Sequence, residues 1–161
     1  MSTTVGQQAP ETFAKALGRV ASGIYIISTG RLPDAQGMLT SWVMQAGFEP
    51  PQLTIAVARE RSILPKLAVG SMLVVNILGE QSNELMKPFV KTQDNAFESL
   101  STEQNEFGVI LKDAVAFLNA EVKDEWVLGD HVVLQCLVHE GKMLREDIQP
   151  WVHVRKNGFN Y

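Results

Sequence analysis

The sequence of 161 residues contains one cysteine, Cys136, and no apolar run long enough to cross a membrane. A single thiol excludes an internal disulfide and is compatible with a reducing compartment. A membrane-spanning helix needs about 20 consecutive apolar residues. The polar first ten residues also lack the basic-then-apolar order of a secretory signal. These absences predict a soluble, cytoplasmic protein without a membrane partner.

Basic residues are too few and too scattered to form a nucleic-acid surface. The chain has 14 Lys and Arg against 18 Asp and Glu, a formal net charge of −4, so no nucleic-acid partner is expected. The three histidines, His131, His139 and His153, lack paired ligand spacing, and no metal site is predicted. There is no GxGxxG motif and no Walker loop, so any nucleotide bound here is held in another way.

The clearest pattern present is the segment 37–57, which reads GMLTSWVMQAGFEPPQLTIAV. Leu53, Ile55 and Val57 alternate with smaller residues, which is typical of a half-buried antiparallel strand. The two prolines before this strand cannot donate to a ladder, so they mark its entrance. A strand pair over residues 38–47 and 53–58 is therefore predicted.

The remaining pattern predicts one mainly β domain over residues 10–161 after a disordered lead over residues 1–9. Six or more strands joined mostly by short turns favour an antiparallel barrel, which removes exposed strand edges. Residues 91–112 are polar and predicted to be irregular, with a short helix near 95–100. The predicted helices cover 10–20, 62–69 and 83–90, and the further strands cover 24–29, 72–78, 116–123, 132–138 and 151–155.

A group of polar residues at a strand-to-helix junction suits an anionic ligand. Ser62 is a good N-cap for the helix predicted after it, and a helix start exposes amides that favour a phosphate. Arg59 and Arg61 add donors for charge-assisted hydrogen bonds. The alternative is a capped surface helix whose charges are solvated.

Five other residues suit a flat, polar ligand, and each has a structural alternative. Thr40 and Ser41 are consecutive, so both serve one site only if the strand bends; otherwise they form a polar strand end and Trp42 belongs to the core. Asn76 interrupts an apolar strand and must find partners, either in a loop or on a ligand. His131 follows a Gly-Asp turn and is either a ligand contact or a turn residue.

Taken in order, these segments resemble the flavin reductase-like family of FMN-binding split barrels. The segment LTSWVMQAGFEP looks most like the C-terminal flavin reductase module of diflavin flavodiiron proteins and their stand-alone relatives. The resemblance covers roughly residues 13–161 and implies an antiparallel Greek-key β-barrel with a few flanking helices. The matching segments are SGIYIIST, GMLTSWVMQAGFEPPQLTIAVARERS, VVNIL, AFLNAEV, GDHVVL and a close of PWVH followed by GFNY.

The resemblance implies an NAD(P)H:flavin oxidoreductase that binds FMN, with FAD as the alternative, near the interface of a homodimer. NAD(P)H would be the co-substrate, and an acceptor protein or monooxygenase would receive the electrons. His131 would lie where the nicotinamide arrives. The flavin residues implied are Met38, Leu39, Thr40, Ser41 and Trp42 along the ring, Ala58, Arg59, Arg61 and Ser62 at the phosphate, and Asn76, Ile77 and Phe89 at the border.

Two segments depart from the family pattern. After the Gly-Asp-His turn the chain reads LQCLV at residues 134–138 where many reductases carry Ile-Gly-Glu-Val, and after Phe89 it reads VKTQDNAFESL. Both departures are expected on the substrate side of the cleft. They keep open a second hypothesis, an FMN-binding electron-transfer or flavin-storage protein without productive NAD(P)H oxidation. A structural barrel with an empty cleft is the third.

Overall fold

The computed structural model describes residues 11–91 and 94–160. The lead predicted over residues 1–9 therefore lies outside the described residues. The helices are α1 (Glu11–Leu17) and α2 (Asn83–Val90), and Leu64–Leu67 form a 3₁₀ turn. The strands are β1 (Tyr25–Thr29), β2 (Gln36–Thr40), β3 (Val43–Phe48), β4 (Pro51–Ala58), β5 (Met72–Ile77), β6 (Thr102–Gln104), β7 (Val109–Leu111), β8 (Ala116–Leu128) and β9 (His131–Met143).

Seven strands form one antiparallel sheet in the order β2-β1-β5-β8-β9-β4-β3. Strands β2 and β3 stand at opposite ends of this order, yet only Ser41 and Trp42 separate them in the chain. Because three residue steps reach about 11 Å at most, the two ends of the sheet lie side by side. The sheet therefore curls into a barrel, and the predicted mainly β, antiparallel fold is confirmed.

The alternation in β4 fills the interior of this barrel. Leu53, Ile55 and Val57 are buried as predicted, and the residues between them are half-buried. Burying a side chain of this size contributes about 1.5–3 kcal/mol to folding. The other strands supply the rest of the cluster, which includes Ile27, Leu73, Val75, Leu134 and Cys136.

Cys136 is expected to be unreactive in the native protein, since it is fully buried in this cluster. Burial raises the pKa of its thiol to about 12, because the thiolate loses its hydration. The thiolate is the reactive form. A thiol titration with Ellman's reagent at neutral pH should find no reactive thiol in the native protein and the one cysteine after denaturation. Rapid reaction of the native protein would contradict this burial.

The two α-helices differ in how well their apolar faces are covered. α2 has the predicted bounds, and its Leu85 and Phe89 are buried. α1 is confirmed as a helix but ends at Leu17, three residues earlier than predicted, and Phe13 and Leu17 on its apolar face are exposed. The helical spacing of apolar residues therefore predicted the helix, but the apolar side that it marks is exposed in the structure.

Two predicted elements are wrong in type. The helix predicted over 62–69 is a four-residue 3₁₀ turn whose N-cap is Ile63, not Ser62. Pro65 supplies no amide for a longer ladder. The last strand predicted over 151–155 is absent from the described strands, and this segment meets its neighbours through the isolated bridges Ser22–His153 and Gly79–Pro150.

The segment predicted to be irregular contains a second, two-stranded sheet. β6 and β7 pair in antiparallel register, and Val109, Ile110 and Leu111 are all buried. Residues 95–99 are turns instead of the predicted short helix. β8 and β9 are also longer than predicted, because each continues as one arm of a hairpin that closes at Gly129 and Asp130.

Candidate functional site

The chain bends at Ser41 and Trp42, where β2 ends and β3 begins. Thr40 and Ser41 are both buried at this bend. Such a bend is required by the sequence if both side chains serve one site. Ser41 Oγ has no hydrogen-bond partner among the described residues. The carbonyl of Trp42 accepts a hydrogen bond from the amide of Ala56 at 3.0 Å, which ties the bend to β4.

Trp42 lies against two polar side chains from distant parts of the sequence. The ring centroids of Trp42 and His131 are 4.9 Å apart with an interplanar angle of 44°. The guanidinium carbon of Arg155 lies 5.2 Å from the centroid of the Trp42 ring. Such contacts combine apolar packing with attraction between the cation and the ring.

The side chain of His131 is hydrogen-bonded to the residue that precedes it. Its Nδ1 lies 2.8 Å from Oδ1 of Asp130, and since a carboxylate only accepts, Nδ1 donates. This hydrogen bond lowers the pKa of the Asp130 carboxyl. In the neutral imidazole, Nε2 is then an acceptor, and it is buried without a partner in the described part of the chain.

His131 belongs to the outer face of the barrel. It pairs with Ala58 across β9 and β4, and directly paired residues share a face. Val57, which precedes Ala58 in β4, and Val132, which follows His131 in β9, both point into the core. Arg59 turns toward the same hairpin: its amide donates to the carbonyl of Asp130 at 2.9 Å, and its Nη1 lies 3.5 Å from the Gly129 carbonyl.

A cleft of about 590 Å³ opens beside β2. Its walls come from residues 33–38, from the turn that carries Arg61, Ser62, Ile63 and Lys66, and from Pro88, Phe89, Lys91 and residues 94–96. Of the residues implied by the family resemblance, Met38, Arg61, Ser62 and Phe89 line it. Its charged side chains are Arg61, Lys66 and Lys91 together with Asp34 and Asp94.

Glycine at position 37 lets β2 approach the aromatic wall of this cleft. A Cβ at Gly37 would lie 2.5 Å from Cε1 of Phe89 and 2.7 Å from Cζ of Phe97. The two phenylalanine rings meet edge to face with centroids 5.1 Å apart. Next to Gly37, Oε1 of Gln36 is buried with no hydrogen-bond partner among residues 11–91 and 94–160. The cleft therefore joins an aromatic wall to an available acceptor.

The positive charge of the cleft comes from side chains and not from a helix start. The 3₁₀ turn is too short to carry a useful macrodipole, and it has no side-chain cap. Arg61, Lys66 and Lys91 instead supply donors for an anion, and the Ser62 hydroxyl adds a neutral one. The anion site at this junction stays a prediction, and the helix-cap reasoning behind it is wrong.

Asn76 has a structural role in the described fold. Its side chain is fully buried, and Nδ2 donates to the carbonyls of Ile26 and Val109 at 3.2 and 3.1 Å. Its Oδ1 accepts from the amide of Leu111 at 2.8 Å. Both amide hydrogens are therefore used within the protein. Ile77 beside it is half-buried, and the place of both residues at a flavin stays a prediction.

The structure divides the predicted site residues into two groups. One group lines the cleft, and the other surrounds Trp42 and His131. Arg59 and Arg61 fall on different sides of this division, although the sequence predicts that both hold one phosphate. Leu39 is half-buried and packs against the second core cluster. The cleft residues that sequence reasoning missed are Asp34, Gln36, Lys66, Lys91, Asp94 and Asn95.

Within the described ranges, no three or more His, Cys, Asp or Glu side chains cluster so that they could hold a metal ion. None of the helices in those ranges is long and apolar enough to cross a membrane.

Comparison with known proteins shows the family. Residues 17–160 match the family described as flavin reductase like domain. The chain belongs to the flavin reductase-like family. Diflavin flavoprotein A 1 of Synechocystis sp. is 38% identical over 152 residues, which are 91% of this chain and 26% of that protein. The chain thus spans about a quarter of the length of the curated relatives it matches.

Solved structures agree with this assignment. A flavin reductase domain protein from Arthrobacter sp. matches with a TM-score of 0.78 and 28% identity over 89% of each chain. An NADH:FAD oxidoreductase from Streptomyces globisporus, in complex with NAD and FAD fragments, matches with a TM-score of 0.79. It is 17% identical, and the match covers 87% of this chain and 85% of that one, so it supports the fold alone. The resemblance to the flavin reductase family read from the sequence is confirmed.

Proposed function

We propose that this protein is an FMN-binding NAD(P)H:flavin oxidoreductase. The observation that carries the proposal is the cleft that presents Arg61, Lys66 and Lys91 in a member of the flavin reductase-like family. When bound, FMN would supply the acceptor for the hydride of NAD(P)H, and Arg61, Ser62 and Lys66 would hold its phosphate. FMN, NAD(P)H and a proton are thereby converted to reduced FMN and NAD(P)+.

The residues present fit a flavin mononucleotide. Arg61, Lys66 and Ser62 can hold its phosphate through charge-assisted and neutral hydrogen bonds. The buried acceptor on Gln36 suits a ring N–H, and the Ser41 hydroxyl can donate to a ring carbonyl. These two orphaned polar atoms cost folding free energy unless a ligand or water pairs with them.

Trp42 and His131 are assigned to the nicotinamide side of the proposed site. The hydrogen bond to Asp130 leaves Nε2 of His131 as an acceptor, which suits the carboxamide N–H of a nicotinamide. Orientation is the protein's main contribution, because the hydride transfer itself belongs to the two nucleotides. Such a transfer does not require the hydrogen-bonded His131–Asp130 pair to act as an acid or a base.

The test is the absorption spectrum of purified protein before and after reductant. We expect a flavin absorption band at about 450 nm on addition of FMN, and anaerobic stopped-flow mixing with NADH or NADPH should bleach it. Failure to bleach with either nucleotide would contradict the reductase. Failure to bind FMN or FAD at all would favour the structural barrel.

The alternative function, an electron-transfer or flavin-storage protein, retains support from one of the two segments that depart from the family pattern. Leu134 and Cys136 in the first departure point into the barrel core, so the expectation that this segment borders the substrate is wrong for them. In the second departure, Lys91 and Asp94 do line the cleft. Protein that binds FMN tightly but is not bleached by NADH or NADPH would favour the alternative.

We also propose a homodimer whose interface borders the site. Trp126 pairs with Val133, which pairs with Ala56, so the three share the outer face that carries His131. Trp126 is 45% exposed, and Met44, which stands on the same outer face in β3, is 68% exposed. Exposed apolar side chains grouped in this way favour a protein partner.

The dimer is expected to dissociate when Trp126 is replaced by glutamate, because an unpaired charge would be buried at the interface. Sedimentation should show two 17.8 kDa chains for the unchanged protein and one for Trp126→Glu. Val152→Glu is the matched control, since Val152 is an exposed apolar residue of the C-terminal segment. A monomeric unchanged protein, or a dimeric Trp126→Glu variant, would contradict this interface.

A further inference from the structure

We propose that Arg155 is a positioning residue that holds the Trp42 ring and, through it, the orientation of His131. Its effect on hydride transfer rests on the proposed function, whereas its effect on the geometry of His131 does not. Arg155 lies in the C-terminal segment, far along the chain from both residues, and no sequence pattern marks it.

The guanidinium of Arg155 is placed over an aromatic face within the protein. Arg155 is only 9% exposed, and its guanidinium carbon lies 5.2 Å from the centroid of Trp42. Its Nη1 also donates to the carbonyl of Gly158 at 3.2 Å. Attraction between a guanidinium and an indole is strongest where water is excluded, as it is here.

The backbone of Arg155 is fastened to the end of α1. Its amide donates to the carbonyl of Gly18 at 3.0 Å, and its own carbonyl accepts from Nη2 of Arg19 at 2.5 Å. The amide of Gly158 donates to the carbonyl of Ala14 at 2.6 Å. A Cβ at Gly18 would lie 2.5 Å from the Arg155 carbonyl oxygen, so the two segments meet backbone to backbone. The backbone that carries the guanidinium is therefore fixed by its contacts with the residues at the end of α1.

The Trp42 ring transmits this position to His131. The two rings are 4.9 Å apart, and on its other side His131 bonds to Asp130, which is exposed at the hairpin turn. One hydrogen bond permits the imidazole to swing with the turn, whereas a ring packed beside it restricts that motion. Displacement of a substrate-orienting group by about 1 Å can cost up to about 100-fold in rate.

The test compares Arg155→Met and Arg155→Lys with Arg145→Met as the control, since Arg145 is bound to the exposed Asp147. The first readout is the NMR spectrum of the His131 ring protons, identified by their loss in His131→Asn. We expect Arg155→Met to shift these resonances and Arg145→Met to leave them in place. Arg155→Lys should give a smaller shift, because lysine keeps the charge without the planar stack.

The second readout is kinetic. In Arg155→Met we expect kcat/KM for the nicotinamide nucleotide to fall about fivefold, a fraction of the loss of up to about 100-fold that displacement of an orienting group can cause. The Kd for FMN should stay within about twofold of its original value, because the phosphate is held elsewhere. A purely structural defect would instead lower the melting temperature and weaken FMN binding together with the nucleotide.

Unchanged His131 resonances in a folded Arg155→Met variant would overturn the proposal. If that variant does not fold, Arg155→Lys decides, and unchanged resonances there would overturn it equally. If the unchanged protein oxidises neither NADH nor NADPH, the proposed function fails, while the resonance comparison still decides the role of Arg155.

Discussion

Replacing Arg61 by alanine is expected to weaken FMN binding by about 10- to 100-fold. A hydrogen bond between a guanidinium and a phosphate is charge-assisted, and losing one of this kind costs roughly 1.5–3 kcal/mol. Arg61 lines the cleft beside Ser62 and Lys66, so its removal should act directly on the anionic end of the ligand. Fluorescence titration with FMN measures the effect, since bound flavin changes its emission.

Arg59→Ala is the decisive comparison for this prediction. From the sequence, both arginines are assigned to the phosphate, whereas the structure turns Arg59 toward the carbonyl of Gly129. We expect Arg59→Ala to change the Kd by less than about threefold, as is usual for an exposed charge. Equal losses in the two variants would contradict the division of the site. An unchanged Kd in Arg61→Ala would show that the phosphate lies elsewhere.

Replacing Asn76 by alanine is expected to lower the free energy of unfolding by about 3–5 kcal/mol. The change removes three buried hydrogen bonds and leaves the carbonyls of Ile26 and Val109 and the amide of Leu111 without that partner. Each buried backbone group left unpaired costs about 1–3 kcal/mol. The carbonyl of Val109 keeps its hydrogen bond from Ser28 Oγ. The loss therefore comes mainly from the hydrogen bonds removed at Ile26 and Leu111 and only secondarily from the small cavity.

Asn119→Ala is the matched control in urea denaturation experiments. Asn119 is as buried as Asn76, but its amide bonds to the side chains of Glu140 and Asn105. Those partners can turn to solvent, so we expect a loss of about 1 kcal/mol. A similarly small loss for Asn76→Ala, together with weaker FMN binding, would instead assign Asn76 to the ligand.

The parts of the fold that the sequence predicted correctly are those encoded over a few neighbouring residues. The alternation of Leu53, Ile55 and Val57 is sufficient to define β4, because a strand places every second side chain on one face. The spacing of Leu85 and Phe89 likewise defines α2. Such patterns need no knowledge of what lies opposite them.

The β6–β7 sheet was missed because distant residues hold it in place. Ser28 Oγ donates to the carbonyl of Val109 at 2.7 Å and accepts from its amide at 2.9 Å. Asn76 bonds to Val109 and Leu111. The apolar run at Val109–Leu111 was a local signal, but three residues among polar neighbours do not distinguish a short strand from a loop.

For the candidate site, the sequence predicted an anionic ligand. It also predicted several residues that line the cleft, namely Met38, Arg61, Ser62 and Phe89. It did not predict Lys66 or Lys91, since a surface lysine has no periodic pattern that marks it as facing a ligand. Exposed charges acquire a role only when the loops that carry them converge.

By itself, the sequence determined the alternation of β4, the bounds of α2 and the family resemblance, because these depend on local spacing and on the order of short segments. The single strand predicted over residues 38–47 is wrong, since the chain bends at Ser41 and Trp42 and forms β2 and β3 there. Only the tertiary structure decided that Arg59 and Arg61 face different parts of the site and that Asn76 forms its hydrogen bonds inside the fold. It alone also decided that Arg155 packs against Trp42. The physical reason is the closure of the barrel. Closure joins the two ends of the sheet, places the hairpin of β8 and β9 beside the bend, and brings the C-terminal segment across α1 to the same place.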